Sequence, residues 1–185
     1  MQLNLRFASV TSLSVALLAL LWAAKGRADQ PPAAPADRDV VSPNGRFFAH
    51  SDFDEIRTTA FKRAAHGDAA VIWEMPGWFP VAALSDDGRV FAVGYPGNNL
   101  LPAQVMDCVI VSFFFDGRLA SEVRLSSLVP DATKLRRTVS HRTWGVHLGF
   151  DAKNRYRVET VERWIITLDP TSGKEVARER TSQAP

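Results

Sequence analysis

The chain has 185 residues, with 22 lysines and arginines against 20 aspartates and glutamates, 46% apolar residues and a single cysteine. That length and apolar content fit one domain with a sizeable core, and the lone Cys108 excludes an intrachain disulfide. The formal charge of +2 and pI of 8.9 are no nucleic-acid footprint, because Arg6, Lys25 and Arg27 stand without an acid in residues 1–28 and the remainder carries 19 bases against 20 acids.

Residues 1–28 have the layout of a secretory signal peptide: one early arginine, a compact apolar run, then Gly26 and Ala28 as the small residues before a cut. The alternative is an uncleaved inner-membrane anchor over 7–24, since 18 uncharged residues just reach spanning length. Either way the chain is expected to be exported, periplasmic or secreted. Residues 29–39, DQPPAAPADRD, read as a Pro/Ala-rich spacer, and 40–181 as a single β-rich domain.

Within that domain Asn44-Gly45 predicts a tight turn leading into a strand at 46–49. Strands over 56–63 and 69–73 follow, joined at His66-Gly67-Asp68. A helix over 54–65 competes, since Ile56, Ala60, Phe61 and Ala64 have roughly helical spacing, but Thr58-Thr59 favours the strand. After Pro76–Pro80, strands at 79–84 and 89–95 pair around Asp86-Asp87-Gly88, where paired carboxylates ordinarily serve the turn. A loop runs over 96–102. Strands at 107–115 and 118–125 pair around Asp116-Gly117. Cys108 lies in that apolar run as a small buried hydrophobe.

Residues 126–137 break the β pattern and hold at most a short helical turn. Four more strands follow at 146–150, 155–161, 164–168 and 175–180. Three segments share one plan: SPNGRFFAH, SDDGRVFAVGY and DAKNRYRVETV each set an Asx/Gly turn before an arginine and an apolar strand. Asn154 takes the place of glycine in the third, as asparagine tolerates the left-handed region. Gly45 and Gly88 are 43 residues apart, a spacing in the range of propeller blades. The segments resemble WD40 and NHL propeller repeats, but three units are too few to close a ring. The expected fold is mainly β, with antiparallel meanders forming about three blade-like sheets in an open or incomplete propeller-like arrangement, a β-sandwich being the alternative.

MPGW at 75–78, LSDDG at 84–88, VGYPGNNLLP at 93–102 and KLRRTVSHRTWG at 134–145 together resemble a family of small exported bacterial proteins of unknown function. The likeness covers roughly residues 40–173. It implies export and a β-rich fold, and it transfers no activity.

Two groups could carry function. Residues 134–144 set Arg136, Arg137, His141 and Arg142 beside Trp144, a composition for an anion or carboxylate site with arginine forks and an indole stacking floor. Trp73, Trp78 and Trp144, with Tyr95 near Asn98 and Asn99, could line one concave glycan- or peptide-binding surface. The bland alternatives are a solvated basic loop and core packing. His141 and His147 lack a third ligand, and His50 and His66 are far off in sequence, so no metal set is completed. Adjacent Ser140 and His141 make no catalytic triad, and no catalytic or cofactor motif occurs, so no cofactor is expected. The reading is a non-catalytic binding module of the cell envelope whose partner is an envelope protein or surface polymer, not nucleic acid, and which touches membrane only through an uncleaved leader. The alternatives are an envelope enzyme with a site near His141 and Arg136/Arg137, or a subunit completing a larger propeller.

Overall fold

The computed structural model describes residues 35–64, 68–104 and 107–181, so the signal-peptide or anchor expectation and residues 29–34 of the spacer lie outside it. The described chain is antiparallel β throughout, in four sheets. The first sheet is a meander of β1 (Arg38–Val41), β2 (Phe47–Asp52), β3 (Arg57–Lys62) and β4 (Ala70–Pro76). The central sheet orders β5 (Ala82–Leu84), β6 (Val90–Gly94), β8 (Val109–Phe115) and β9 (Arg118–Arg124). The last sheet is a meander of β12 (Gly145–Phe150), β13 (Tyr156–Thr160), β14 (Trp164–Leu168) and β15 (Glu175–Arg180). A small sheet joins β7 (Leu100–Pro102) to β11 (His141–Thr143) and β10 (Arg136–Arg137). A four-residue helix, α1 (Leu125–Leu128), is the one α-helix among the described residues; none there is long and apolar enough to cross a membrane.

The repeated turns are built alike because the same local chemistry recurs. Ser42, Ser85 and Asp151 open them, and their side-chain oxygens accept from the backbone N–H of Phe47 (3.1 Å), Val90 (2.9 Å) and Arg155 (2.9 Å). Gly45 (φ 71°), Gly88 (φ 73°) and Asn154 (φ 56°) occupy the left-handed position, the one place where the repeat requires glycine or asparagine. The three turns are also tied together. The Asn44 N–H donates to Asp86 Oδ1 (2.6 Å), the Asn44 amide donates to the Asp86 carbonyl (2.7 Å), and the Asp86 N–H donates to Asn154 Oδ1 (2.8 Å). Asp87 stays within its turn, taking Arg89 N–H at 3.0 Å and the Ser85 hydroxyl at 2.6 Å. β5 contacts both β1 and β12, so the leading strands of the three sheets are neighbours, as at the hub of a propeller.

The core lies on both faces of the central sheet. On one, Leu84 and Phe91 meet Phe47, Ala49, Ala60, Trp73 and Met75 of the first sheet, with Trp73 edge-on to Phe91 at 5.6 Å. On the other, Val90, Ala92, Val111 and Phe113 meet Tyr156, Val158, Ile166 and Leu168 of the last sheet, with Phe113 edge-on to Tyr156 at 5.3 Å. Leu125, Leu128, Val129 and Leu135 close the end of this second core, which is why residues 125–135 depart from the strand pattern.

The two packings differ in kind. By position after the turn, Phe47, Val90 and Tyr156 are equivalent, and so are Phe48, Phe91 and Arg157. The first sheet sets its Phe47 face against the Phe91 face of the central sheet, one repeat on the next as propeller blades do. The last sheet meets the central sheet like face to like face, as the halves of a sandwich do. The sequence forces this: Arg157 and Glu159 stand where Phe91 and Val93 stand one repeat earlier, and that face cannot be buried without stranding charge. No sheet closes on itself.

Three local expectations are corrected. Residues 35–39 belong to the fold: Ala36 accepts from the Trp78 indole at 2.9 Å, Asp37 accepts from the Phe53 N–H at 2.9 Å, and β1 starts at Arg38. Residues 100–102, read as loop, form β7. The basic segment, read as a solvated loop, contributes β10 and β11.

Candidate functional site

The small sheet gathers most of the residues singled out from the sequence. His141, Arg142 and Thr143 pair with Pro102, Leu101 and Leu100, which docks the basic segment onto the Gly97–Asn99 turn. Arg136 and Arg137 pair with Thr143 and Arg142, so two arginines face each other across the strands. Like charges opposed in this way destabilise a sheet unless something anionic meets them.

The anchor of this arrangement is Trp144. It is fully buried, its indole N–H donates to the Asn98 carbonyl at 2.8 Å, and its backbone N–H donates to the Asn99 carbonyl at 3.3 Å. Asn98 holds φ 55°, and its N–H donates to the carbonyl of half-buried Tyr95 at 2.7 Å. Tyr95, Asn98, Asn99 and Trp144 therefore form one structural unit. Trp144 offers no face to a ligand, which corrects its expected role as a stacking floor. Trp78 belongs elsewhere, at the end of the first sheet, where it is edge-on to Phe53 at 5.2 Å. Arg142 is largely engaged in structure, donating to the carbonyls of Ala103 (3.2 Å) and Ala132 (3.3 Å).

Beside these residues lies a cleft of about 640 Å³ between the small sheet and the β12–β13 end of the last sheet. Lys134, Arg136, Thr143, Val146, Glu159 and Arg163 stand in its wall. Glu159 is its one acid and is already engaged by Arg163 Nε (3.3 Å) and the Thr181 hydroxyl (3.1 Å). Among the described residues Lys134 and Arg136 have no carboxylate within ion-pair distance, and nearby Asp131 is occupied by the N–H (2.9 Å) and hydroxyl (2.6 Å) of Thr133. Those bonds hold the Asp131 carboxyl below the usual range. The wall is closely packed: Gly145 lies so close to the Glu159 carbonyl that a Cβ there would collide with backbone. Arg163 is held at φ 68°, a left-handed strain of about 1–2 kcal/mol for a residue with a Cβ.

His141 is partly buried on β11, and its Nδ1 lies 2.7 Å from the Ser140 hydroxyl. The two are sequence neighbours, and adjacency alone does not make them a nucleophile and its base.

Two further groups gather around histidines that the sequence left without partners. His147 is mostly buried between Trp144 and Tyr156, with Nδ1 3.0 Å from the Tyr156 hydroxyl and Nε2 buried without a hydrogen-bond partner among the described residues. Burial pushes the imidazole down to about 4 and the Tyr156 phenol up, so both are neutral near pH 7. On the first sheet, strand pairing brings His50 beside Asp37, Asp39 and Asp52. The signal for that second group was an alternation, Asp37-Arg38-Asp39 and His50-Ser51-Asp52, which puts every other side chain on one face.

Compared with known proteins, the chain matches no family model and no curated protein.

Proposed function

We propose that the protein is a non-catalytic binding module of the cell envelope that receives an anionic group of a partner protein or surface polymer in the cationic cleft. The observation that carries this reading is the pair Lys134 and Arg136, with no carboxylate within ion-pair distance among the described residues, in the wall of a cleft of about 640 Å³. A guanidinium offers a carboxylate or phosphate a two-pronged hydrogen bond, and an ammonium beside it adds a point charge. The leader pattern of residues 1–28, and the resemblance to small exported proteins, support an envelope location.

The test is titration of labelled poly-L-glutamate and of inorganic polyphosphate into the protein at low and moderate salt, with fluorescence anisotropy as readout. Saturable binding of at least one probe is expected, weakened by salt. The Lys134→Ala/Arg136→Ala double variant should lose roughly 100-fold, about 1.5 kcal/mol per charged contact. Binding that survives in the double variant, or no binding of either polymer, would count against the cleft.

A further inference from the structure

We propose a second, separate site: His50, Asp37 and Asp52 bind a divalent first-row transition metal on the outer face of the first sheet, with Asp39 orienting the imidazole. The placement follows from strand register. Asp39 lies opposite His50 and Arg38 opposite Ser51, so Asp37 comes opposite Asp52 and the four side chains share one face. One ligand atom from each of Asp37, His50 and Asp52 lies within 4.8 Å of the other two. Metal–ligand bonds of about 2.1 Å place ligand atoms up to about 4 Å apart, so the set closes on an ion by shifts of under about 1 Å.

The donors are held in place before any ion arrives. Asp37 Oδ1 accepts the Phe53 N–H at 2.9 Å, and Asp52 Oδ1 accepts the Glu55 N–H at 2.7 Å. The second oxygen of each carboxylate has no protein partner among the described residues. Asp39 Oδ1 sits 2.8 Å from His50 Nδ1. A carboxylate on one imidazole nitrogen fixes the ring and raises the basicity of the other, which is how histidine ligands are commonly supported.

The donor chemistry selects the ion. One imidazole with two carboxylates suits zinc or manganese, whereas calcium and magnesium prefer an all-oxygen shell and gain nothing from His50. Three protein ligands leave coordination positions open to water or to an oxygen of a ligand. Arg57, opposite Asp52 on β3, is paired with Glu55, so Asp37 and Asp52 have no ion-pair partner among the described residues. The site shares no residue with the cationic cleft, so it stands or falls independently of the binding reading.

The test is calorimetric titration of the full chain with Zn²⁺, Mn²⁺, Ca²⁺ and Mg²⁺, alongside the visible spectrum of bound Co²⁺. Zn²⁺ is expected to bind one per chain, with His50→Ala and Asp52→Asn each weakening it at least tenfold. Asp39→Asn should weaken it by about 10- to 100-fold through loss of the orienting carboxylate, while His141→Ala leaves it unchanged. His50 is partly exposed, so its variant folds, and a circular-dichroism melt confirms this. Zn²⁺ binding or a Co²⁺ spectrum that is the same in His50→Ala, absence of Zn²⁺ and Mn²⁺ binding, or equal binding of Ca²⁺ and Mg²⁺ insensitive to His50 would each overturn the site.

Discussion

The two faces of the central sheet are covered by neighbours of the same four-stranded design, yet they are covered differently. Against the first sheet the contact repeats as blades repeat, the Phe47 face on the Phe91 face. Against the last sheet, Val90 and Tyr156, which hold the same place in the repeat, meet each other. One turn motif therefore serves two packings, and what chooses between them is the polarity of a single alternate set of side chains. Where that set is Phe91 and Val93 the sheet buries it; where it is Arg157 and Glu159 the sheet turns its other face inward.

The sharpest way to break this comparison is to truncate the same repeat position in both sheets. Phe91→Ala should cost about 3–5 kcal/mol, a cavity between two packed sheets, and Arg157→Ala should stay within about 0.5 kcal/mol. Urea denaturation measures both; equal costs would mean that the last sheet buries the face assigned here to solvent.

Acid should probe the second packing next. His147 is buried between the central and last sheets with its pKa lowered from 6.5 to about 4 by desolvation. The unfolded chain therefore binds a proton that the folded chain refuses between those values. Its contribution is fully present above about pH 6.5 and is lost as pH falls toward about 4, up to roughly 3 kcal/mol. Denaturation midpoints at pH 7 and pH 4.5 should differ in the wild type and differ less in His147→Gln. An unchanged pH dependence in that variant would assign the acid sensitivity to other groups.

The links between turns should give the smallest effect. Asp86→Ala removes the carboxylate that accepts from Asn44 and should cost about 1 kcal/mol. Asn154→Gly keeps the left-handed turn while removing the oxygen that accepts from Asp86, and should cost a similar amount. Thermal melts of the two variants and their double would show coupling if the three turns act as one unit. Strict additivity would mean that each link acts alone.

The three-sheet plan was legible in the sequence because its cause is local. A serine or aspartate, two residues of turn, and a glycine or asparagine before an arginine suffice to specify each first hairpin. The pairing of β7 with β11 was not legible. Each strand has three residues, and Leu101 meets Arg142 only because Trp144, fixed in the core, pulls the Asn98–Asn99 turn beneath it. Trp144 was visible as a residue and not as an anchor, since composition cannot say which tryptophan in a basic segment is inward. The cleft was half legible: Lys134 and Arg136 came from the basic segment, but Glu159 and Arg163 come from the far wall. His50 was set aside because sequence distance hides what antiparallel register brings together.

The chain of turns also sets a timetable. Asp86 receives Asn44 from 42 residues upstream but must wait for Asn154, 68 residues downstream. At typical synthesis rates of about 5–20 residues per second, that wait is roughly 3–14 s. In the later part of that wait, between the completion of β9 at Arg124 and the synthesis of Asn154, Val90, Ala92, Val111 and Phe113 form a finished apolar surface with no sheet to cover it. The half-made protein thus carries an exposed apolar face that the finished chain does not, the kind of surface that makes partly folded chains prone to aggregate.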